Sequence, residues 1–84
     1  MFNVLNRETP SAVVSVSAPT IDKIDVNSNG TTYYGTGLAG SVTSTAVWQI
    51  QSSSVAGVVT TFLWADGNTN FDNVWDNRTS LTYA

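Results

Sequence analysis

The sequence predicts a mainly β protein: a small antiparallel β-sheet or sandwich with one short helical turn near the C-terminus and an extended N-terminal arm. Val, Ile and Thr, whose branched Cβ atoms favour pleated strands, make up 26 of the 84 residues. Lys, Glu, Leu and Gln, which form the surfaces of many helices, together number only 8. Stretches in which apolar and polar residues alternate recur along the chain, and a period of two is typical of strands.

Residues 1–20 are predicted to form either an extended arm or the first strand. Pro10 and Pro19 bracket a short Val/Ser alternation, and each proline favours an extended conformation in the residue before it. As an arm, the segment would pair with the sheet edge of a neighbouring subunit. Its candidate contact residues are Phe2, Val4, Leu5, Val13, Val14 and Val16. The rest of the chain, residues 21–84, is predicted to be one small β domain.

A β-hairpin is predicted from residues 21–26 and 31–36. Between them lies an Asn-Gly pair, which favours the positive φ angles of a type I′ turn. A turn centred on Asn29 and Gly30 would place Val26 opposite Tyr33. The glycines that follow are expected to end the second strand.

Two more strands are predicted in the middle of the chain. In residues 46–51, Trp48 and Ile50 share one face, which indicates a strand that buries one side. Residues 52–57 are expected to form a loop. Residues 58–65 carry apolar groups on both faces, which indicates either a central strand or a strand whose second face meets another subunit.

The last nineteen residues are predicted to contain a turn, a helical turn and a short strand. Phe71, Val74 and Trp75 have the i, i+3, i+4 spacing that would place them on one face of a helical turn. Residues 80–83 alternate again and could form a last strand. Arg78 is expected to form a local ion pair with Asp72 or Asp76.

Composition excludes several classes of function. The chain has no Cys and no His, so thiol chemistry, zinc ribbons and histidine bases are absent, and we expect no enzyme activity, no catalytic residue and no cofactor. The formal net charge of −3 argues against nucleic acid as a partner. Polar residues interrupt the long uncharged stretch between Asp25 and Asp66, so no membrane span is predicted. Arg7 and Glu8 lie where a signal peptide would need an apolar stretch, so we expect no Sec-type secretion.

One acidic segment resembles the start of a calcium loop. Asp66, Asn68 and Asn70 have the spacing of the first three ligands of an EF-hand. The sixth position should be Gly and the twelfth Glu, but these positions hold Phe71 and Asn77. The sequence therefore favours a structural turn with Asn side-chain hydrogen bonds, and leaves a weak calcium site as the alternative.

Aromatic residues beside Asn and Asp could also bind sugars, because aromatic rings stack on the apolar faces of sugar rings. The candidates for such stacking are Trp64, Trp75, Tyr33 and Tyr34. In a domain this small, however, Trp residues more often anchor a core or an interface.

A short chain without disulfides also buries a small fraction of its surface, so we expect it to share its stability with other subunits.

The C-terminal part of the chain resembles a family of short proteins encoded by tailed bacteriophages and marine viral sequences. The shared pattern is W-A-D-G followed by F-D-N-x-W-D-N-R-x-S-L-x-Y, preceded by a W-x-I element and a Gly/Thr-rich stretch. The likeness covers roughly residues 30–84. It rests on the following positions: Trp48, Ile50, Trp64, Asp66, Gly67, Phe71, Trp75, Asp76, Arg78, Leu81 and Tyr83. The resemblance implies a virion component without an assigned catalytic residue.

The function expected from these arguments is that of a structural subunit of a tailed phage particle. It would lie in the tail, baseplate or fibre, or decorate the capsid, and its partners would be other virion proteins and copies of itself. A carbohydrate-binding module at the tail tip is one alternative. A host-directed regulatory protein that is never packaged is another.

Overall fold

A computed structural model describes residues 19–84 and shows a mainly β fold: one antiparallel sheet of five strands with a short 3-10 helix near the C-terminus. The four longer strands lie side by side in chain order, and the fifth pairs with the start of the third. The predicted arm residues lie outside the described part of the chain. The elements are β1 (Thr20–Val26), β2 (Thr31–Leu38), β3 (Ala46–Ala56), β4 (Val59–Trp64), β5 (Asn73–Val74) and the 3-10 helix (Trp75–Ser80).

The first hairpin forms as predicted, but the predicted register was wrong by one residue. Asp25 lies opposite Tyr33, and Val26 lies opposite Thr32. The cause is the length of the turn, because the backbone N–H of Asn27 donates to the carbonyl of Thr31 and closes a loop of three residues instead of two. A shift of one residue exchanges the two faces of a strand.

The prediction that glycines end the second strand was also wrong. Strand β2 continues through Gly35 and Gly37 to Leu38. Both glycines are buried, and a Cβ atom added to Gly37 would lie 3.1 Å from the Trp48 ring. These glycines therefore mark the place where an aromatic ring lies against the backbone, which is one of the reasons for glycine inside a strand.

Strand β3 extends further than predicted, and β4 lies at the edge of the sheet. Residues 52–56 belong to β3, so the predicted loop shrinks to a tight turn at Gly57 and Val58. Strand β4 pairs with β3 alone among the longer strands, which rules out a central position for it. The second interpretation of its two apolar faces, contact with another subunit, remains a prediction.

The C-terminal segment forms a helical turn four residues later than predicted. Phe71 lies in a bend, Val74 ends β5, and only Trp75 belongs to the 3-10 helix. The expected last strand is reduced to an isolated bridge between Ala65 and Tyr83. Beyond this bridge, Ala84 exchanges two backbone hydrogen bonds of 3.0 Å with Trp64, so the last residues lie along part of the outer edge of β4.

The core lies on one face of the sheet. Its buried residues come from β2, β3, the position directly after β4 and the 3-10 helix, which packs against the sheet. They are Tyr33, Trp48, Ile50, Ala65 and Trp75. None of the helices in residues 19–84 is long and apolar enough to cross a membrane.

Candidate interaction surface

The covered face of the sheet is built on two tryptophans. Trp48 projects from β3 and is fully buried, and its ring lies 6.1 Å from that of Trp75, centroid to centroid. The indole N–H of Trp48 donates to the carbonyl of Val42, so the ring buries no unpaired donor. A Cβ added to Gly35 would lie 2.5 Å from Trp75, so only glycine fits beneath that ring.

Arg78 joins the 3-10 helix to the first strand. Its Nε donates to the Oδ2 atom of Asp25 at 2.8 Å, and its guanidinium carbon lies 4.6 Å from the centroid of the Trp75 ring. The predicted pairing with Asp72 or Asp76 was therefore wrong. A hydrogen bond from the Asn27 amide and the contact with Arg78 together hold the pKa of Asp25 below its usual value.

Tyr83 fixes the chain after the helix. Its hydroxyl donates to the carbonyl of Arg78 at 2.7 Å, and its ring lies 5.7 Å from that of Tyr33. Burial, with a smaller contribution from Tyr33, raises the pKa of Tyr83 to about 12. The hydroxyl therefore stays protonated to a higher pH than that of an exposed tyrosine, and it keeps its hydrogen bond to the Arg78 carbonyl over that range.

The acidic segment forms a turn with Asn side-chain hydrogen bonds. The Asn68 Oδ1 atom accepts from the backbone N–H of Asn70 at 2.9 Å, and the Asn68 amide donates to the Asp66 carbonyl at 3.3 Å. Asp66 has a φ of 58°, a left-handed conformation that Asp tolerates, and Gly67 follows with a φ of 70°. Within residues 19–84, no three His, Cys, Asp or Glu side chains are grouped closely enough to hold a metal ion.

The opposite side of the sheet, which we call the open face, consists of the alternate side chains of β1 to β4 that point away from Trp48. Part of it is apolar and exposed: Ile24 is 66% accessible and Phe62 55%. Across the strands, Ile24, Tyr34, Gln51 and Trp64 lie in one row. Other exposed apolar members are Val26, Leu38 and Val55.

The open face also has very little charge. Among the side chains that β1 to β4 contribute to it, Asp22 is the only ionisable acid or base other than Tyr34, and it accepts a hydrogen bond from Thr36. On the covered face, by contrast, β1 alone carries both Lys23 and Asp25. Residues 69–71 lie against one end of this face, where the Gln49 amide donates to the Thr69 carbonyl, and the rest of the face has no second layer within residues 19–84.

A cavity of about 430 Å³ lies at one end of the open face. Its apolar walls include Leu38 and Val47, and Phe71 of the bend closes one side. The side chain of Phe71 is about half exposed. It therefore belongs to this cavity and not to a face shared with Trp75, as the sequence had suggested.

The predicted family positions divide between the two faces. Strand β3 places Trp48 and Ile50 on the covered face, and Leu81 packs at the margin of that face. Strand β4 places Trp64 on the open face. Asp76 is exposed on the helix. Sequence reasoning missed Asn73, which is 3% exposed and whose amide donates to the Trp48 carbonyl, because a polar side chain next to Asp72 carries no signal of burial.

The four aromatic residues considered for sugar stacking do not form one site. Tyr33 and Trp75 are buried in the core, so neither ring presents a face to solvent. Tyr34 and Trp64 lie on the open face, where the Tyr34 ring is 6.4 Å from the ring of Phe62.

Comparison with known proteins leaves the family open. No protein-family model matches the chain, and no curated protein or solved structure is significantly similar to it.

Proposed function

We propose that the chain is a structural subunit of a tailed bacteriophage virion that acts through contacts with copies of itself and with other virion proteins. The observation that supports this most is the open face. A sheet with apolar groups on both sides needs a layer on both sides, and residues 19–84 supply one of them. A partner is the natural source of the second layer, and an exposed apolar patch is typical of an interaction site.

The resemblance to phage proteins supports the viral part of the proposal. Much of the shared pattern lies in the packing of the covered face, where Trp48, Trp75, Arg78 and Tyr83 hold the helix and tail against the sheet. These residues make contacts that build the fold, and such contacts suit a module whose function is binding and shape.

Mass spectrometry of purified virions tests this proposal. We expect the chain in intact particles, with a copy number that separates a capsid decoration from a tail, baseplate or fibre component. The soluble fraction of infected cells is the matched control. Abundance in that fraction with absence from particles would contradict the proposal and favour the host-directed regulatory alternative.

The N-terminal arm can be tested in the same particles. Removing residues 1–18 leaves β1 complete, because β1 starts at Thr20. If the segment is an arm, we expect the truncated chain to keep its β circular dichroism spectrum and to lose incorporation into virions. A lost spectrum would identify an internal strand instead, and normal incorporation would exclude a role in assembly.

Carbohydrate binding at a tail tip is a second candidate, favoured by the ring cluster of Tyr34, Phe62 and Trp64 on the open face. Sugar rings stacked there should quench or shift tryptophan fluorescence. A screen on host surface glycans, with Trp64→Ala as the variant and Trp75→Phe as a control on the covered face, measures this. The candidate would be excluded if no glycan produced a fluorescence signal that the Trp64→Ala substitution removes.

A further inference from the structure

We infer that the open face is the surface on which two copies of this chain pack sheet against sheet. The inference refines the proposed function by naming the surface and the partner. A second copy fits the chemistry because the open face is partly apolar and strands β1 to β4 give it one charged side chain, Asp22. Two of these faces can therefore pack together with little repulsion between like charges.

The size of the open face is adequate for such a dimer. Four strands spaced about 4.8 Å apart, with about seven residues each at roughly 3.3 Å, give a footprint of on the order of 450 Å². Two faces therefore bury about 900 Å² before side-chain relief is counted, close to the roughly 1,000 Å² that a specific interface needs. We expect a weak dimer, with a dissociation constant in the micromolar range, rather than an obligate one.

The relief of the face selects one arrangement. The cavity beside Leu38, Val47 and Phe71 lies at one end, whereas Val55 and Phe62 project at the other end and are more than half exposed. A two-fold axis that lies between the sheets and runs across the strands places each projecting end over the cavity of the partner. The contact is then isologous, as in most homodimers.

Sedimentation velocity of the full chain tests this inference. We expect a reversible dimer, and we expect Phe62→Lys or Ile24→Lys to weaken it by at least about tenfold, because each would bury a charge without a partner. Both side chains are more than half exposed in the described structure, so the variants should keep the melting temperature of the monomer. Thr61→Lys is the matched control, because Thr61 is an exposed neighbour that points to the opposite side of β4.

Cross-linking tests the arrangement. The chain has no Cys, so Val47→Cys with Val55→Cys introduces the only thiols. Eight residues of one strand separate the two by about 26 Å, far beyond the reach of a disulfide within one chain. We expect covalent dimers on oxidation, and none from Val47→Cys with Thr61→Cys. A face-dependent dimer that does not cross-link would overturn the proposed axis.

Three results would overturn the inference itself. One is a chain that stays monomeric at about millimolar concentration, well above a micromolar dissociation constant. Another is a dimer that Phe62→Lys and Thr61→Lys affect equally, which would place the interface elsewhere. The third is a monomer that Phe62→Lys destabilises, which would indicate that residues 1–18 of the same chain cover the face. These results do not depend on the detection of the chain in virions, so failure here and failure of the virion proposal are distinguishable.

Discussion

Replacing Gly35 by Ala should destabilise the fold, although the change adds only one methyl group. The added Cβ would lie 2.5 Å from Cε3 and 2.6 Å from Cζ3 of Trp75, whereas ordinary contacts begin near 3.4 Å. The Trp75 ring would have to move by almost an ångström. It has little freedom to do so, because the Trp48 ring lies beside it and the Arg78 guanidinium lies over it.

The expected cost is about 1–3 kcal/mol, which is typical of overpacking in a close-packed core. The lower backbone entropy of Ala in the unfolded chain offsets about 0.4–1 kcal/mol of this. We therefore expect a net loss of about 1–2 kcal/mol, or a melting temperature lower by roughly 4–16 °C for a domain of this size. Urea unfolding followed by tryptophan fluorescence measures the same free energy at constant temperature.

Gly37→Ala is the matched control, since its Cβ would lie 3.1 Å from the Trp48 ring and should cost less than the change at Gly35. Trp75→Leu supplies a second check, because the smaller side chain should remove most of the penalty of Gly35→Ala. The reasoning fails if the Gly35→Ala variant is as stable as the natural chain. It also fails if Gly35→Ala and Trp75→Leu change the free energy of unfolding independently of each other.

Further predictions concern the same face and the acidic turn. Trp75→Ala should cost about 3–5 kcal/mol and abolish the near-ultraviolet circular dichroism signal of the core, and unchanged melting would refute the burial of this ring. Removing calcium with a chelator should leave the melting temperature unchanged, because Asn68 already bonds Asn70; a fall reversed by calcium but not magnesium would contradict this. The lowered pKa of Asp25 implies a contribution to stability that is present above about pH 4 and lost as the pH falls through the folded pKa. The stability of the Asp25→Asn variant should therefore differ from that of the natural chain near neutral pH and converge with it in acid. The raised pKa of Tyr83, about 12, implies stability that is present below about pH 10 and lost as pH rises toward 12, and thermal melts of Tyr83→Phe should lack this component.

Local patterns in the sequence were sufficient to predict most of the strands. The alternation around Trp48 and Ile50 identified a strand that buries one side, and both residues are fully buried. The two apolar faces of residues 58–65 were also real, although they belong to an edge strand. Such patterns succeed because alternation depends only on the backbone of the strand itself.

Features that depend on distant contacts could not be predicted in this way. Asp25 and Arg78 are 53 residues apart, so local spacing favoured the nearer acids as partners of Arg78. Gly35 and Gly37 were interpreted as strand breakers because their reason for being glycine, the rings of Trp75 and Trp48, comes from other elements. The open face was visible in sequence only as the unexplained second apolar side of β4.

The two backbone hydrogen bonds between Trp64 and Ala84 have a consequence for amide hydrogen exchange. The Trp64 amide and the Asp66 amide, which donates to the Thr82 carbonyl, are protected by the last three residues and not by a neighbouring strand. Release of the tail would therefore expose both amides in one local opening, while Ala65, bonded to the Ile50 carbonyl within the sheet, stays protected. Deuterium uptake should thus alternate along this short stretch: fast at Trp64, slow at Ala65 and fast at Asp66.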